Sequence, residues 1–347
     1  MSKIPIQNVY YLLCYAWDQM RAGEIVETGT AGQTDLLDLF GTVLANGTER
    51  VLKQGLDRGY VTHSEDTSRP RGQIDFDNSV KRALFPLGRV HCQYDRLSRD
   101  VLHNRILKAT LRSLARAENI DDKDLRPRLL SLVRRFGEVS DVPLRRSLFQ
   151  RVQLHSGNAF YRFLLHVCSL IEQNLVPTED GEGRQFRDFL REEATMWKLF
   201  EDFVRNFYEH EQERYSVSAP RIEWEISGSI PEALPNMWTD VVLQSATKTI
   251  ILDTKYSKDA LKAHYGKEVY DSKHLYQLFA YLKNAESEGQ GYREAEGILL
   301  YPTNGVHLND EFEIERHRVR LCSIDLSQDW REIHRDLLVL IGAAETE

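Results

Sequence analysis

Cysteine is scarce in this chain and never paired: Cys14, Cys92, Cys168 and Cys322 stand far apart among 347 residues, with no CxxC motif. Such spacing excludes a cysteine zinc cluster, and the apolar run around each predicts a buried thiol in a reducing, cytoplasmic setting. Long hydrophobic runs are missing too. No stretch of about 18 apolar residues occurs, nor an opening basic segment followed by an apolar one, so neither a membrane span nor a signal peptide is expected. A GxxxxGK[ST] phosphate loop is also lacking, and without one the chain is not expected to bind and hydrolyse nucleotides by itself. Internal repeats and low-complexity tracts are equally absent, which excludes a solenoid or a disordered tail protein.

What is present is ample core material. With 41% hydrophobic and 28% charged residues, a chain of this length is expected to form two folded domains. The net charge of −8 argues against a nucleic-acid partner, but it hides a gradient. Between Lys81 and Arg151 there are 17 Lys and Arg against 8 Asp and Glu, a surplus of nine, and the remainder carries −17. That segment is a candidate phosphate-attracting surface, with Arg134, Arg135, Arg145 and Arg146 as its candidate DNA contacts; the alternative is a solvated helix face.

Periodicity divides the chain near residue 180. Apolar spacing predicts a buried helix over Ile6–Met20, with Asn8 as a candidate N-cap, and a second over Asp35–Gln54 stopped by Gly55. Tyr60 to Leu97 switches to short β-like runs broken by Pro70, Gly72, Pro86 and Gly88, a β-rich insert. Helical spacing returns at about 100–117, 124–136 and 159–175, and the polar stretch Pro177–Gly183 reads as a boundary. Beyond it the pattern predicts a helix over about 192–211, strands near 222–226, 238–243 and 249–255, a helix over 272–285, a strand at 297–301, β-like residues 312–324 and a last helix from Trp330. The expected architecture is an α+β N-terminal region (1–180) followed by an α/β domain with a mixed sheet (184–347).

One cluster carries chemistry. Asp253 ends the β-branched run Thr249-Ile250-Ile251-Leu252, where a buried carboxylate needs compensation. A strand period of two sets Asp253 and Lys255 on one face. Asp240 opens Val241-Val242-Leu243, and the polar residues 244–248 fit a hairpin turn, which would set Asp240 beside Asp253. Two carboxylates with the backbone carbonyl of Thr254 form an oxygen-rich, open site suited to Mg²⁺, with Lys255 placed to orient or deprotonate an attacking water for phosphodiester hydrolysis. The alternative is a structural Asp–Lys ion pair. The strings Asp121-Asp122-Lys123 and Asp271-Ser272-Lys273 share the spacing but lack a preceding apolar strand. One helix later Gln277 and Tyr281, four apart, share a face and are candidates to hold a phosphate or the water.

These stretches, Thr239-Asp240, Ile251 to Tyr256 and Leu275 to Tyr281, resemble the PD-(D/E)xK nucleases of the variant with Q-x-x-x-Y on the helix. The opening Ile4 to Trp17, with Tyr94-Asp95, Asn104 to Leu111 and Met196 to Phe200, is similar to the McrC family, the nuclease subunits of McrBC restriction systems, over nearly the whole chain. The resemblance implies a Mg²⁺-dependent DNA endonuclease with little activity alone, joined to a hexameric GTP-hydrolysing AAA+ partner that recognises methylcytosine and binds the GTP. It assigns Asp240, Asp253 and Lys255 to the metal and catalytic positions. Thr239 replaces the proline of the motif name, and a helix glutamate that many such nucleases use has two candidates, Glu193 and Glu201. Arg69 and Arg71, in the turn of the insert, are the candidate contact that stimulates the partner; an ordinary basic turn is the alternative. Two other functions remain open: an inert assembly factor for the ring, and a stand-alone RecB-like repair nuclease.

Overall fold

The computed structural model describes residues 4–19, 35–177, 184–229, 231–256, 261–264, 267–303 and 307–343. Its contacts divide the chain into two compact units, residues 24–187 and residues 1–23 with 188–347. This corrects the expected partition at its N-terminal end. Helix α1 (Ile6–Ala16) belongs with the second unit because its polar groups are satisfied there: Tyr15 Oη donates to Glu211 Oε1 at 2.7 Å, and Asn206 Nδ2 donates to the carbonyl of Tyr15 at 2.8 Å. Asn8 is not the cap. Pro5 takes that position, and the Asn8 amide donates to the carbonyls of Leu326 and Gln328 at 2.8 and 2.7 Å.

In the unit of residues 24–187, helix α2 (Leu36–Gln54) starts at Asp35, whose side chain accepts from the Leu37 amide, and stops at Gly55 with φ 94°. Both signals were readable. The insert follows as strand β1 (Gly59–Thr67), strand β2 (Gln73–Asp75), the short helix α3 (Phe76–Lys81) and strand β3 (Val90–Ser98), the strands forming an antiparallel sheet in the order β1-β3-β2. Gly72 is required at its turn: φ is 65°, and a Cβ there would fall 2.4 Å from the Gln93 carbonyl oxygen. Helices α4 (Leu102–Ala115), α5 (Leu125–Arg134), α6 (Arg146–Phe149) and α7 (Ala159–Asn174) complete the helical body, and a hairpin of β4 (Leu175–Pro177) and β5 (Arg184–Phe186) closes it. Residues 178–183 of the expected boundary lie outside the described residues.

Asn104 stands at the start of α4. Fully buried, it donates to the carbonyls of Asp57 and Arg99 at 2.9 and 2.7 Å and accepts from Tyr161 Oη at 2.9 Å. Asp57 precedes the insert and Arg99 follows it, so one side chain ties both roots of the sheet to the helices.

The other unit is a mixed sheet flanked by helices. Helix α8 (Glu193–Glu211) leads to strands β6 (Ser216–Ser218), β7 (Arg221–Ile222), β8 (Met237–Trp238), β9 (Val241–Gln244) and β10 (Thr249–Thr254). A hairpin of β11 (Leu261–His264) and β12 (Lys267–Tyr270), helix α9 (Ser272–Ala285), strands β13 (Glu296–Pro302), β14 (Asn309–Ile314) and β15 (His317–Ile324), and helix α10 (Trp330–Leu340) follow. The six-stranded sheet runs β14-β15-β13-β10-β9-β6, with β10, β13 and β15 parallel and the others antiparallel. Gly297 lets α9 settle on β13, since a Cβ there would meet Leu282 Cδ1 at 2.9 Å and Leu278 Cδ2 at 3.0 Å. Leu278, Tyr281, Leu282 and Ala285 of α9 then share one core with Val242, Ile251, Leu299, Val319 and Leu321 of the sheet.

Two expectations are refined here. The strand expected at 222–226 is only Arg221–Ile222, and the run 238–243 breaks at Thr239-Asp240, leaving Asp240 between strands. All four cysteines are buried and none forms a disulfide. Among the described residues no helix is long and apolar enough to cross a membrane.

Candidate active site

The hairpin places the carboxylates as its spacing predicts. Ser245 N donates to the Lys248 carbonyl at 2.8 Å, closing the turn, and β9 pairs with β10 in a register that sets Leu252 opposite Val241. Asp240 therefore lies beside the end of β10. Its Oδ2 accepts from both the amide and the hydroxyl of Thr254, each at 2.7 Å. Thr254 thus contributes its side chain to holding Asp240, and its carbonyl receives the indole N–H of Trp197 from α8 at 3.4 Å.

Asp253 has no accessible surface; Lys255 Nζ forms an ion pair with its Oδ2, and among the described residues its Oδ1 accepts no hydrogen bond. Burial, with Asp240 and Glu201 nearby, outweighs the ammonium and pushes the Asp253 carboxyl up to about 7. An anion left this unsatisfied in a buried strand is costly, and such an environment is expected where a group is kept for binding or chemistry.

From α9, Gln277 Nε2 donates to Tyr281 Oη at 2.6 Å, and Tyr281 Oη donates to the carbonyl of Trp238 at 2.8 Å, two residues before Asp240. Burial pushes the Tyr281 phenol up to about 12, the Gln277 hydrogen bond opposes this, and the charges of Asp253, Asp240 and Glu201 add to it. The pair is thereby tied to the strand end that carries the carboxylates. Of the two helix glutamates, Glu201 is the one the structure brings to the cleft. Burial raises its carboxyl, Lys198 opposes at 2.9 Å, and Asp240 adds to the rise. Glu193 is exposed, and its charge is felt by Tyr256.

Sequence reasoning assigned no role to Trp197, Trp238, His274 or Tyr301. His274 Nδ1 lies 3.0 Å from Tyr301 Oη, and burial followed by the charge of Asp253 raises the Tyr301 phenol. An exposed tryptophan carries no pattern of its own, which is why periodicity passes over it. Asp271, in the competing DSK string, instead caps α9 by accepting from the Lys273 amide at 3.0 Å.

Glu201 is paired with Lys198 and Arg205, whereas among the described residues Asp240 and Asp253 share only Lys255, so the two strand-end carboxylates are a poor place for a phosphodiester unless a cation joins them. The donors fit a hard divalent ion: among the described residues Asp253 Oδ1 accepts no hydrogen bond, the bonds to Asp240 fall on its Oδ2, and the Thr254 carbonyl receives one long side-chain bond. Among the described residues no group of three or more His, Cys, Asp or Glu closes a cage, and a partial oxygen set that leaves positions to water and phosphate is what Mg²⁺ favours.

The candidate residues of the other unit are all at its surface. Arg69 and Arg71 are exposed in the connection between β1 and β2, Arg71 with its guanidinium 5.8 Å from the Tyr94 ring centroid. Arg134, Arg135, Arg145 and Arg146 are exposed as well.

A family model described as "McrBC 5-methylcytosine restriction system component" matches residues 7–302. The chain belongs to this family. Within the McrBC family it is similar to the Escherichia coli (strain K12) protein described as "Type IV methyl-directed restriction enzyme EcoKMcrBC", 29% identical over 338 residues and covering 96% of each chain. Its fold is similar to a chain in the half-complex from a tetradecameric assembly of Thermococcus gammatolerans McrB AAA+ hexamers with bound McrC, at TM-score 0.60 and 20% identity over 98% of this chain and 77% of that one. The likeness bears out the expected fold, an α+β region followed by a mixed sheet flanked by helices.

Proposed function

We propose that this chain is the DNA-cleaving subunit of a methylcytosine-directed restriction complex, hydrolysing phosphodiester bonds with Mg²⁺ held by Asp240, Asp253 and the Thr254 carbonyl. The observation that carries the reading is Asp253, fully buried beside Asp240 and paired only through Oδ2 with Lys255, while its Oδ1 accepts no hydrogen bond among the described residues. When bound, the cation supplies charge neutralisation on the scissile phosphate and a more acidic water. Thr254 fixes Asp240, so that its remaining oxygen faces the cleft. Lys255 orients the attacking water and hydrogen-bonds the phosphate oxygen as negative charge grows there. Gln277 and Tyr281 position that phosphate, and Glu201 orders the outer waters. Set against the inert assembly factor, an intact and strained carboxylate pair is without purpose in a scaffold.

The partner belongs to the same reading. The Thermococcus gammatolerans assembly joins McrC to McrB AAA+ hexamers, and a GTP-hydrolysing ring of that kind would bind the nucleotide and recognise the modified base. The insert of residues 59–98 suits the contact. Tyr60, Phe76, Val80, Phe85, Leu87 and Leu97 are all exposed there, with the Phe76 and Phe85 ring centroids 6.4 Å apart, and Arg69 and Arg71 stand in the β1–β2 connection of the same insert. In this reading the insert meets the ring and its arginines stimulate GTP hydrolysis, while Arg134, Arg135, Arg145 and Arg146 meet DNA. Family membership over most of the chain favours this over a stand-alone repair nuclease.

The test is Mg²⁺-dependent cleavage of methylated and unmethylated plasmid, with and without the ring partner and GTP. Cleavage of methylated plasmid only in the complete mixture is expected; equal cleavage of both plasmids by the chain alone would favour the repair nuclease.

A further inference from the structure

Strand β10, which carries Asp253, runs between β9 and β13. On the β9 side Gln277 and Tyr281 are tied to the Trp238 carbonyl. On the β13 side stands a second pair from the same helix and sheet, His274 and Tyr301. His274 lies one turn before Gln277 and two before Tyr281, on one stripe of α9. Thr254 pairs with Leu300, and the Lys255 amide donates to the Leu300 carbonyl at 2.9 Å, so Tyr301 is the next residue in line beside Lys255. Ile251, Leu299 and Tyr301 share the core beneath α9, and a strand period of two puts Asp253 on that face as well. The His274 and Tyr301 ring centroids are 5.8 Å apart, with Nδ1 3.0 Å from the hydroxyl. His274 Nε2 is 3.7 Å from Asp271 Oδ2, whose charge favours an imidazolium, and the side chain is 20% exposed.

When a phosphodiester is hydrolysed, the departing sugar oxygen is a strongly basic alkoxide unless a proton reaches it as the bond breaks. The other groups of the cleft have different tasks. Asp240 and Asp253 serve the cation, Lys255 is paired with Asp253 and serves the attacking water, Glu201 is paired with Lys198 and Arg205, and Tyr281 gives its proton to the Trp238 carbonyl. Histidine is the side chain that gives and takes a proton near neutral pH. Resting on the nuclease reading above, we infer that His274 is the general acid that protonates the leaving oxygen, with Tyr301 as the positioning residue that holds its ring. The water oxygen forms a bond to phosphorus while the bond from phosphorus to the leaving sugar oxygen breaks, its electron pair staying on that oxygen. The Nε2 proton of His274 passes to it. The proton lost by the water goes to solvent, and the imidazole regains one from solvent through its exposed edge. One water and one phosphodiester thus become a phosphomonoester and an alcohol.

The test changes the leaving atom. The cleavage point in a methylated duplex, and the oxygen that leaves there, are first mapped with the full chain, the ring partner and GTP; the same duplex is then made with sulfur in place of that oxygen. A thiol is far more acidic than an alcohol, so a thiolate departs without a proton. His274→Ala should slow single-turnover cleavage of the oxygen linkage by about a hundred-fold and of the sulfur linkage by less than about three-fold. His274→Gln, which keeps a polar side chain against Tyr301 but has no proton to give, should behave as His274→Ala does. Tyr301→Phe should lose roughly five-fold, again on the oxygen linkage alone. Equal slowing of both linkages by both His274 variants would show a structural role and overturn the inference, as would a wild-type rate on the oxygen linkage in either. A wild-type mixture that cleaves neither duplex would remove the nuclease reading itself. Wild-type cleavage with His274 variants indifferent to the linkage would remove this inference alone.

Discussion

The two ends of the proposed activity are built in opposite ways. In the sheet unit the polar groups of the candidate site are withdrawn from water: Asp253 is fully buried with its Oδ1 unsatisfied among the described residues, Asp240 is locked by Thr254, and Tyr281 is held by Gln277 and the Trp238 carbonyl. In the insert the candidate groups face water: six large apolar side chains, on its strands, its short helix and the turn after that helix, and two arginines in the β1–β2 connection are exposed. Burial without satisfaction stores binding energy for a small ion, whereas exposure without cover stores it for a large surface. A clean division of labour between the two regions follows, and it can be broken experimentally.

The largest expected effect is that of Asp253→Ala, which removes a ligand while leaving the insert untouched. Cleavage should fall by about a hundred- to a thousand-fold, with the partner's GTPase stimulation unchanged; loss of both activities in a folded variant would contradict the division. Next is the pH profile. The Asp253 carboxyl is raised to about 7 by burial, so below that pH it keeps a proton that a cation must displace. Cleavage should therefore drop by up to about ten-fold per unit as the pH falls below 7, while GTPase stimulation holds; a flat profile between pH 5.5 and 7.5 would refute the assignment. The sign for stability is opposite. Folded Asp253 binds more protons than unfolded Asp253 between about 4 and 7, so without metal its contribution to stability is lost as the pH rises through that window.

Smaller effects test the other region. Replacing Arg69 and Arg71 by Ala should lower GTPase stimulation by roughly five-fold or more, measured as partner turnover at saturating chain, without altering Mn²⁺ binding. Full stimulation would make the basic turn mere surface. Reversing the charge of Arg134, Arg135, Arg145 and Arg146 should flatten the salt dependence of DNA binding by about one unit of logarithmic slope per lost phosphate contact. An unchanged slope would leave them as a solvated face.

Helices, strand order around the hairpin and the Asp240–Asp253–Lys255 cluster were legible because each is written locally. Asp35 and Gly55 bound α2, and two short apolar runs joined by a polar turn, four residues long (245–248) once Gln244 pairs with Thr249, set β9 against β10. What was not legible depends on distant partners. Asn8 has the form of a cap but is used by carbonyls 318 and 320 residues away, and α1 joins the sheet unit through Tyr15 and Asn206. Glu193 and Glu201 are alike on paper and are separated only by which helix face meets the carboxylates. Trp197 and Trp238 acquire meaning from backbone carbonyls they approach or carry, which no side-chain pattern records.

The most direct test of the central claim, that Asp253 is kept unsatisfied for a cation, is a Mn²⁺ titration of the full chain followed by electron paramagnetic resonance. Wild type and Lys255→Ala should both bind Mn²⁺ at one protein site, because an ammonium is no metal ligand, and binding at pH 7 should release protons. Asp253→Ala should bind none there. Equal Mn²⁺ binding by wild type and a folded Asp253→Ala chain would contradict the account.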